Sequence, residues 1–588
     1  MVELITAHLA TWATAQIPKK NGGRGPGRGT TNQSPHGIKK LRELILELAV
    51  RGKLVPQDPN EEPASVLLEK IAKEKARLIK EGKIKKQKPL PEIRVDEKPF
   101  DLPNGWQWDR LGNLCSKLTD GSHNPPSNAG EGFPMLSSQN VNYGRIDFTN
   151  PSRYVTAEDF EEENKRTQVE PNDVLLTIVA SLGRSAVVPG DAPKFVLQRS
   201  VAVLQTGLES NFLALQLVAP LCVNYYEKHA KGTAQKGIYL GKLSLMEIVV
   251  PPLAEQYRIV AKVDELMALC DRLEQQQIDS ADTHQTLVEN LLATLTQSTD
   301  QNDFNAAWQR IAANFATLFT TEHSNDQLKQ AILQLAVMGK LVPQDPNDEP
   351  ASTLLEKIAK EKARLVKEGK IKKQKKLPEI TEEERPFELP KGWELVRLGN
   401  LIPDFQNGAS SRGDKEGLET IVLRLADIKN WKVFFEDTRS LRINEKSVKK
   451  YSLKTNDVLI IRVNGSADIV GRFILCDQEI DAIYCDHFIR MRFAFQSIAP
   501  SYLELLGSSD LIRNRIKDLF VSTAGQKTVN QKHISSLVVT LPPLAEQHRI
   551  VAKVDELMAL CDTLKERLQE AQTIQVQLAD AIVEQAVA

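Results

Sequence analysis

Thirty-seven consecutive residues, Gly52 to Lys88 (GKLVPQDPNEEPASVLLEKIAKEKARLIKEGKIKKQK), return 287 positions later as Gly339 to Lys375. Only Glu61, Val66 and Ile79 change, to Asp348, Thr353 and Val366. A second block, PPLAEQYRIVAKVDELMALCDRL from Pro251, returns from Pro542 as PPLAEQHRIVAKVDELMALCDTL. Repetition at a long period constrains a fold strongly, because one structural unit must then be built twice. Between the blocks only a skeleton survives. Leu102-Pro103, Gly105-Trp106 and Arg110-Leu111-Gly112 match Leu389-Pro390, Gly392-Trp393 and Arg397-Leu398-Gly399, and Asn172-Asp173-Val174-Leu175 matches Asn456-Asp457-Val458-Leu459. Near the end of each variable stretch, Gly232 to Lys236 loosely matches Ser522 to Lys527. The order is constant, variable, constant, variable, constant. Two modules of one architecture with different surfaces point to recognition of two different things.

The constant segments read as helical. From Leu253 the apolar residues Ile259, Val260, Val263, Leu266, Met267, Leu269 and Leu273 follow one helix face, and no Pro or Gly interrupts before Gln297. Such a helix is about 65 Å long, as is its copy from Leu544 to about Val587. A polar-faced rod of that length needs a helical partner, and the expected partner is its own repeat packed antiparallel. A shorter helix is expected in each copy, with Pro63 or Pro350 in its first turn, stopping at Gly82 and Gly369. The basic run Lys83 to Lys88 and its copy then read either as a solvated linker or as a phosphate- or partner-contacting arm. Short β-branched runs such as Val174–Val179 and Val458–Val463, set among Gly-, Ser- and Asn-rich loops, make the variable segments α/β.

The expected domains are an N-terminal helix and flexible Gly/Arg-rich tether (1–37), a helical constant region (38–98), a first module (99–250) and a central helical spacer with the second repeat (251–385). A second module (386–541) and a C-terminal spacer helix (542–588) complete the chain. The fold class is α+β multidomain: two α/β domains separated by long antiparallel helices, a coiled-coil spacer, with an internal pseudo-twofold repeat.

Chemistry-bearing motifs are scarce. The six cysteines are scattered without a CxxC pair and read as reduced thiols of a cytoplasmic protein. No metal site is expected. There is no P-loop, HExxH or dinucleotide-binding fingerprint. Asn124-Pro125-Pro126-Ser127 approaches the Asn-Pro-Pro-aromatic turn of amino-methyltransferases, but Ser127 stands where the aromatic belongs. No apolar stretch is long enough for a membrane helix. The net charge of −1 means that contacts to an anionic partner must come from local patches.

The twice-present PPLAEQ-x-RIV-x-KVDELM helix opening, the Gly-Trp-x-x-x-x-Leu-Gly entry to each module and the Thr-Ala-Gln-Lys type loop near its exit resemble the specificity subunits of type I restriction–modification systems. The resemblance runs from about Ile38 to the C-terminus. It implies that each module is a target-recognition domain reading one half of a bipartite double-stranded DNA site. It also implies that the chain has no catalytic residue and no cofactor of its own. Two modification subunits would carry S-adenosylmethionine and methylate adenine, and restriction subunits would use ATP and Mg. Two other readings stay open on the residues alone: a coiled-coil adaptor whose modules bind proteins, and a DNA methyltransferase with its own target domains.

Base edges are matched by Arg or Lys at guanine and by Asn or Gln at adenine, from loops of a rigid module. The candidates in the first module are Lys117, Ser122, His123, Asn124, Ser138, Gln139, Asn140, Arg184, Lys231, Gln235 and Lys236. In the second they are Gln406, Asn407, Ser410, Ser411, Arg412, Arg424, Arg462, Asn464, Gly465, Gln526, Lys527 and Asn530.

Overall fold

The computed structural model describes residues 2–18, 33–232, 235–298, 301–371, 375–409, 413, 416–429, 431–435, 438–479, 481–493, 498–523 and 525–587. Most of the Gly/Arg-rich tether lies outside them. The chain divides into two compact units, residues 1–281 with 570–588, and residues 282–569. Four helices organise them: α1 (His36–Val50), α2 (Leu253–Gln297), α3 (Glu322–Val337) and α4 (Leu544–Val587).

In the first unit α1 buries Ile38, Leu41, Ile45 and Leu48. They pack with Ile259, Val263, Leu266 and Cys270 from the start of α2 and with Ala579, Ile582 and Ala586 from the end of α4. Around this core Arg42 donates to Asp271 at 2.7 Å and Glu274 at 3.0 Å, and His36 meets Asp580 at 3.1 Å. The second unit repeats the arrangement. Leu328, Ile332 and Leu335 of α3 pack with Ile550, Val554 and Cys561 from the start of α4 and with Val288, Leu292 and Leu295 from the end of α2. Lys329 donates to Asp562, the repeat of the Arg42–Asp271 pair. Each bundle therefore takes the first part of one long helix and the last part of the other, and a short helix of the constant region joins them.

The helices Ala64–Lys80 and Ala351–Lys367 start one residue later than the sequence suggests, with Pro63 and Pro350 as their N-caps. They stop two residues before Gly82 and Gly369. Both glycines have φ near +70°. The amides of Gly82 and Lys83 reach back to the carbonyls of Ile79 and Leu78, closing the last turn.

Each module mixes helices with several small sheets. In the first, Ser185–Val187, Val174–Thr177, Val201–Thr206 and Cys115–Asp120 form an antiparallel sheet in that order. In the second, Phe473–Leu475, Val458–Ile461, Phe488–Phe493 and Pro403–Asn407 form its equivalent. A three-stranded sheet beside each contains one parallel pairing, Val196–Leu197 with Phe133–Leu136 and Ala482–Tyr484 with Leu418–Leu423.

The entry and exit strands of each module pair with each other: Gln107–Arg110 with Glu247–Val250, and Glu394–Arg397 with Val538–Leu541. These necks explain the skeleton residues. Trp106 and Trp393 are buried and donate their indole N–H to Glu255 and Glu546 of the two PPLAEQ motifs, at 2.9 and 3.0 Å. The following Gln256 and Gln547, fully buried, donate to the carbonyls of Pro251 and Pro542 and accept from the amides of Glu209 and Ala499. Arg110 and Arg397 donate from buried guanidinium groups to the carbonyls of Pro91 and Leu245 and of Pro378 and Ser536, ahead of the neck strands, and each also pairs with a carboxylate, Glu97 or Glu384. Buried polar groups that find all their partners in this way fix one geometry. The shared motifs are thus the joint between a module and its helix.

Candidate nucleic-acid interface

At one end of the first module, loops from five parts of the sequence are sewn together by backbone bonds. Ser122 N donates to Leu197 O, Arg199 N to Ser122 O, Ile178 N to Ser200 O, Ala180 N to Lys236 O and Gly144 N to Ser185 O. The second module repeats the pattern. Ala409 N donates to Tyr484 O, Arg462 N to His487 O and Val529 N to Arg462 O, while Val463–Asn464 pairs with Gln526–Thr528. The crossing is tight. A Cβ on Gly121 would collide with the backbone of Leu197 and Gln198, and one on Gly408 with that of Tyr484 and Cys485.

Several candidate residues are bonded into this construction. Lys117 donates to the buried Asp173 carboxylate and to the Gln168 carbonyl, both at 2.7 Å. Ser122 is buried against Glu163. Asn140, fully buried, accepts from Ser137 N and donates to the carbonyls of Asp147 and Asn150. Arg424 is folded onto the buried carboxylate of Asp427, the equivalent of Asn140. Asn530 caps a short helix by accepting from His533 N. Gln406 donates to the Asn407 carbonyl, and the Asn407 side chain accepts from Gln531. Asn464 closes a turn on Ser466 N. In this structure each of these side chains is bonded within its own module.

Other candidates face outward. Asn124, Gln139, Lys231, Gln235 and Lys236 are exposed, and Ser138 is half-buried with its amide on Ser200 Oγ. Half-exposed His123 sits at 2.9 Å from Asp120, whose carboxylate also pairs with Arg166. Arg184 is half-buried and donates to Asn142 at 3.3 Å. In the second module Gly465 and Gln526 are exposed, Lys527 donates to the Gly465 carbonyl, and Arg462 donates to the Asp486 carbonyl. Ser410, Ser411 and Arg412 lie outside the described residues.

Further side chains join them that are not among the sequence candidates: Tyr143, Arg145 and Arg199 in the first module, and Lys429, Trp431, Lys432 and Arg472 in the second. Arg472 is half-buried and the other six are exposed on the same loops. The signal for Tyr143 was present in Asn-Tyr-Gly-Arg, a turn sequence between short strands.

Burial pushes the thiols of Cys115 and Cys476 up to about 12 and that of Cys485 up to about 11, so they stay protonated and are poor nucleophiles or ligands. Among the described residues, Cys485, Asp486 and His487 are the one group of three spaced closely enough to hold a metal, and that thiol is one of them. No described helix is long and apolar enough to cross a membrane.

The architecture can be set beside known proteins. The family model for the type I restriction modification DNA specificity domain matches twice, at residues 103–282 and 390–573. The EcoAI specificity subunit of Escherichia coli is 38% identical over 100% of this chain and 99% of its own length. The EcoEI specificity subunit of the same species is also 38% identical, over 99% of both chains. A solved structure of the HsdS subunit from Thermoanaerobacter tengcongensis matches with a TM-score of 0.39 at 19% identity, over 84% of this chain and 99% of that one. With two copies of the family's domain, each ending in the first part of a long helix, the chain belongs to the type I restriction–modification DNA specificity subunits.

Proposed function

We propose that each module reads one half of a bipartite duplex DNA target, and that the chain itself performs no chemistry. The observation carrying this reading is that two interfaces of the same construction, on necks held by the same Trp–Glu, Gln and Arg contacts, present different side chains. Loops held this rigidly suit base readout, which needs donors and acceptors placed in advance. Modification subunits with S-adenosylmethionine, and restriction subunits with ATP and Mg, would supply methylation and cleavage.

The partner reading rests on the repeated helices. Lys70 pairs with Glu62 and Lys357 with Glu349, both at 2.6 Å, and Arg77 bridges Glu74 and Glu81 as Arg364 bridges Glu361 and Glu368. Exposed pairs of this kind contribute little stability, so folding alone does not require their identity in both copies. Two equal docking surfaces for two copies of one modification subunit account for it.

The test is exchange of residues 100–250 for the module of another family member, followed by mapping of methylated adenines in cells carrying the chain with its modification subunits. One half-site is expected to change while the other is retained. A change in both, or in neither, refutes the reading.

A further inference from the structure

Each module extends a short two-stranded ribbon from its interface. In the first the strands are Val141–Asn142 and Arg145–Ile146, with Tyr143 and Gly144 in the turn. In the second they are Ile428–Lys429 and Lys432–Val433, with Trp431 in the turn. The roots are clamped alike. Asn140 and Asp427, both buried, accept from the amides of Ser137 and Arg424, and their own carbonyls accept from Asp147 N and Phe434 N at 2.8 Å. In the first ribbon the Asp147 carboxylate is also held down to about 2 by the Thr149 hydroxyl and amide and by Asn150.

The tips are what the two ribbons share with the solvent. Tyr143 is 68% exposed and Trp431 39%. Among the described residues of the two modules, the only other exposed aromatic is Tyr239, so two of three lie on equivalent tips. They reach those tips by different routes. Tyr143 holds the first turn position, whereas Trp431 holds the second, at φ +60°, where the other ribbon has Gly144 at φ +70°. A left-handed conformation is strained for a bulky residue and persists where function uses it.

An arginine stands behind each tip. Gly183 and Gly471, both at positive φ, donate to the carbonyls of Thr177 and Ile461, and the next residues are Arg184 and Arg472. Arg184 donates to Asn142 beside Tyr143, while Arg472 stacks its guanidinium 4.4 Å above the Trp431 ring. Arg145 flanks the first tip, and Lys429 and Lys432 flank the second, all exposed. The two modules differ almost everywhere on this face, yet both retain a rigid ribbon with an aromatic tip, an arginine behind it and cations beside it.

We infer that the two ribbon tips are inserted into a groove of duplex DNA, with Tyr143 and Trp431 packing on base edges and Arg184 and Arg472 as their positioning residues. A two-stranded ribbon fits the major groove, where an apolar ring meets the thymine methyl and flanking cations meet phosphates. The inference rests on the DNA-reading function proposed above and assigns a contact to each module.

The test uses the full chain assembled with its modification subunits and a duplex carrying its mapped methylation sequence. Tyr143→Ala and Trp431→Ala are each expected to weaken binding roughly tenfold or more, the scale of one specific base contact. Each should relax sequence preference in its own half-site only. Tyr143→Phe should retain most of the affinity, since the ring is kept. Unchanged affinity and unchanged preference in both alanine variants, with unchanged melting temperature, would overturn the inference. The module exchange separates the two levels. If exchange moves a half-site while the alanine variants bind normally, the ribbon is wrong and DNA reading stands. If exchange leaves the methylated sequence unaltered, DNA reading fails and the inference fails with it.

Discussion

The Trp–Glu pair at each neck shows how much one residue can carry. Glu546 accepts from Trp393 Nε1 at 3.0 Å and from Gln344 Nε2 at 3.2 Å, and it is buried. Desolvation holds its carboxyl above the usual glutamate range, against those two hydrogen bonds. A carboxyl whose folded value is raised favours the folded state at low pH. Its contribution is lost as pH rises from the ordinary glutamate range through the raised value. Glu546→Gln should therefore make the melting temperature of the second unit less sensitive to pH as it rises above the ordinary glutamate range, as calorimetry of the two proteins would show. Trp393→Phe removes the indole donor and leaves the carboxylate under-partnered, at a cost of about 1–3 kcal/mol, readable in a denaturant titration. The sequence displayed both partners as repeated motifs, but not that they touch, since 153 positions separate them. The base-reading candidates were harder to sort. Asparagine suits adenine edges and tight turns equally well, and Asn140 and Asn530 both bond locally to the backbone. Arg472 is hidden in the sequence for another reason. Its glycine follows the strand residue Ile461 by ten positions, whereas Gly183 follows Thr177 by six, so a longer loop hides the equivalence until the hydrogen bonds are drawn.

At the scale of elements, the long helices were the most legible, because their apolar spacing and freedom from Gly and Pro survive any tertiary context. They run over Leu253–Gln297 and Leu544–Val587 as the pattern requires. What the pattern left out was the short helix α1 or α3 that joins them in each bundle, whose buried face is contiguous with theirs. The crossing of strand ends at the interface is an element of a different kind, set by backbone proximity rather than by side-chain pattern. Gly121→Ala or Gly408→Ala should force the adjacent strand to move and cost about 1–3 kcal/mol. Weakened binding to the corresponding half-site and a lowered denaturant midpoint are the expected results. Neither glycine has a positive φ, so a stability loss would report crowding and not backbone conformation.

For the whole molecule, the partner reading predicts two modification subunits per chain at saturation in native mass spectrometry, and one per chain would remove it. The division of the long helices has a further consequence. The first unit is complete only when residues 570–588 add Ala579, Ile582 and Ala586 to a core that also contains Ile5, Trp12 and Leu41. Removing residues 570–588 should cost the first unit on the order of 4–6 kcal/mol of apolar burial, so limited proteolysis should attack residues 36–50 before α3. In a growing chain the same dependence becomes a matter of time. Residues 282–569 separate the two contributions to that core, and at about 5–20 residues per second a ribosome needs roughly 15–60 s to cross them. Throughout that interval α1 has no carboxy-terminal partner and exposes an apolar stripe. The nascent first unit is then a client for chaperones, while the second unit, whose described parts lie within 288 consecutive residues, can fold as it emerges.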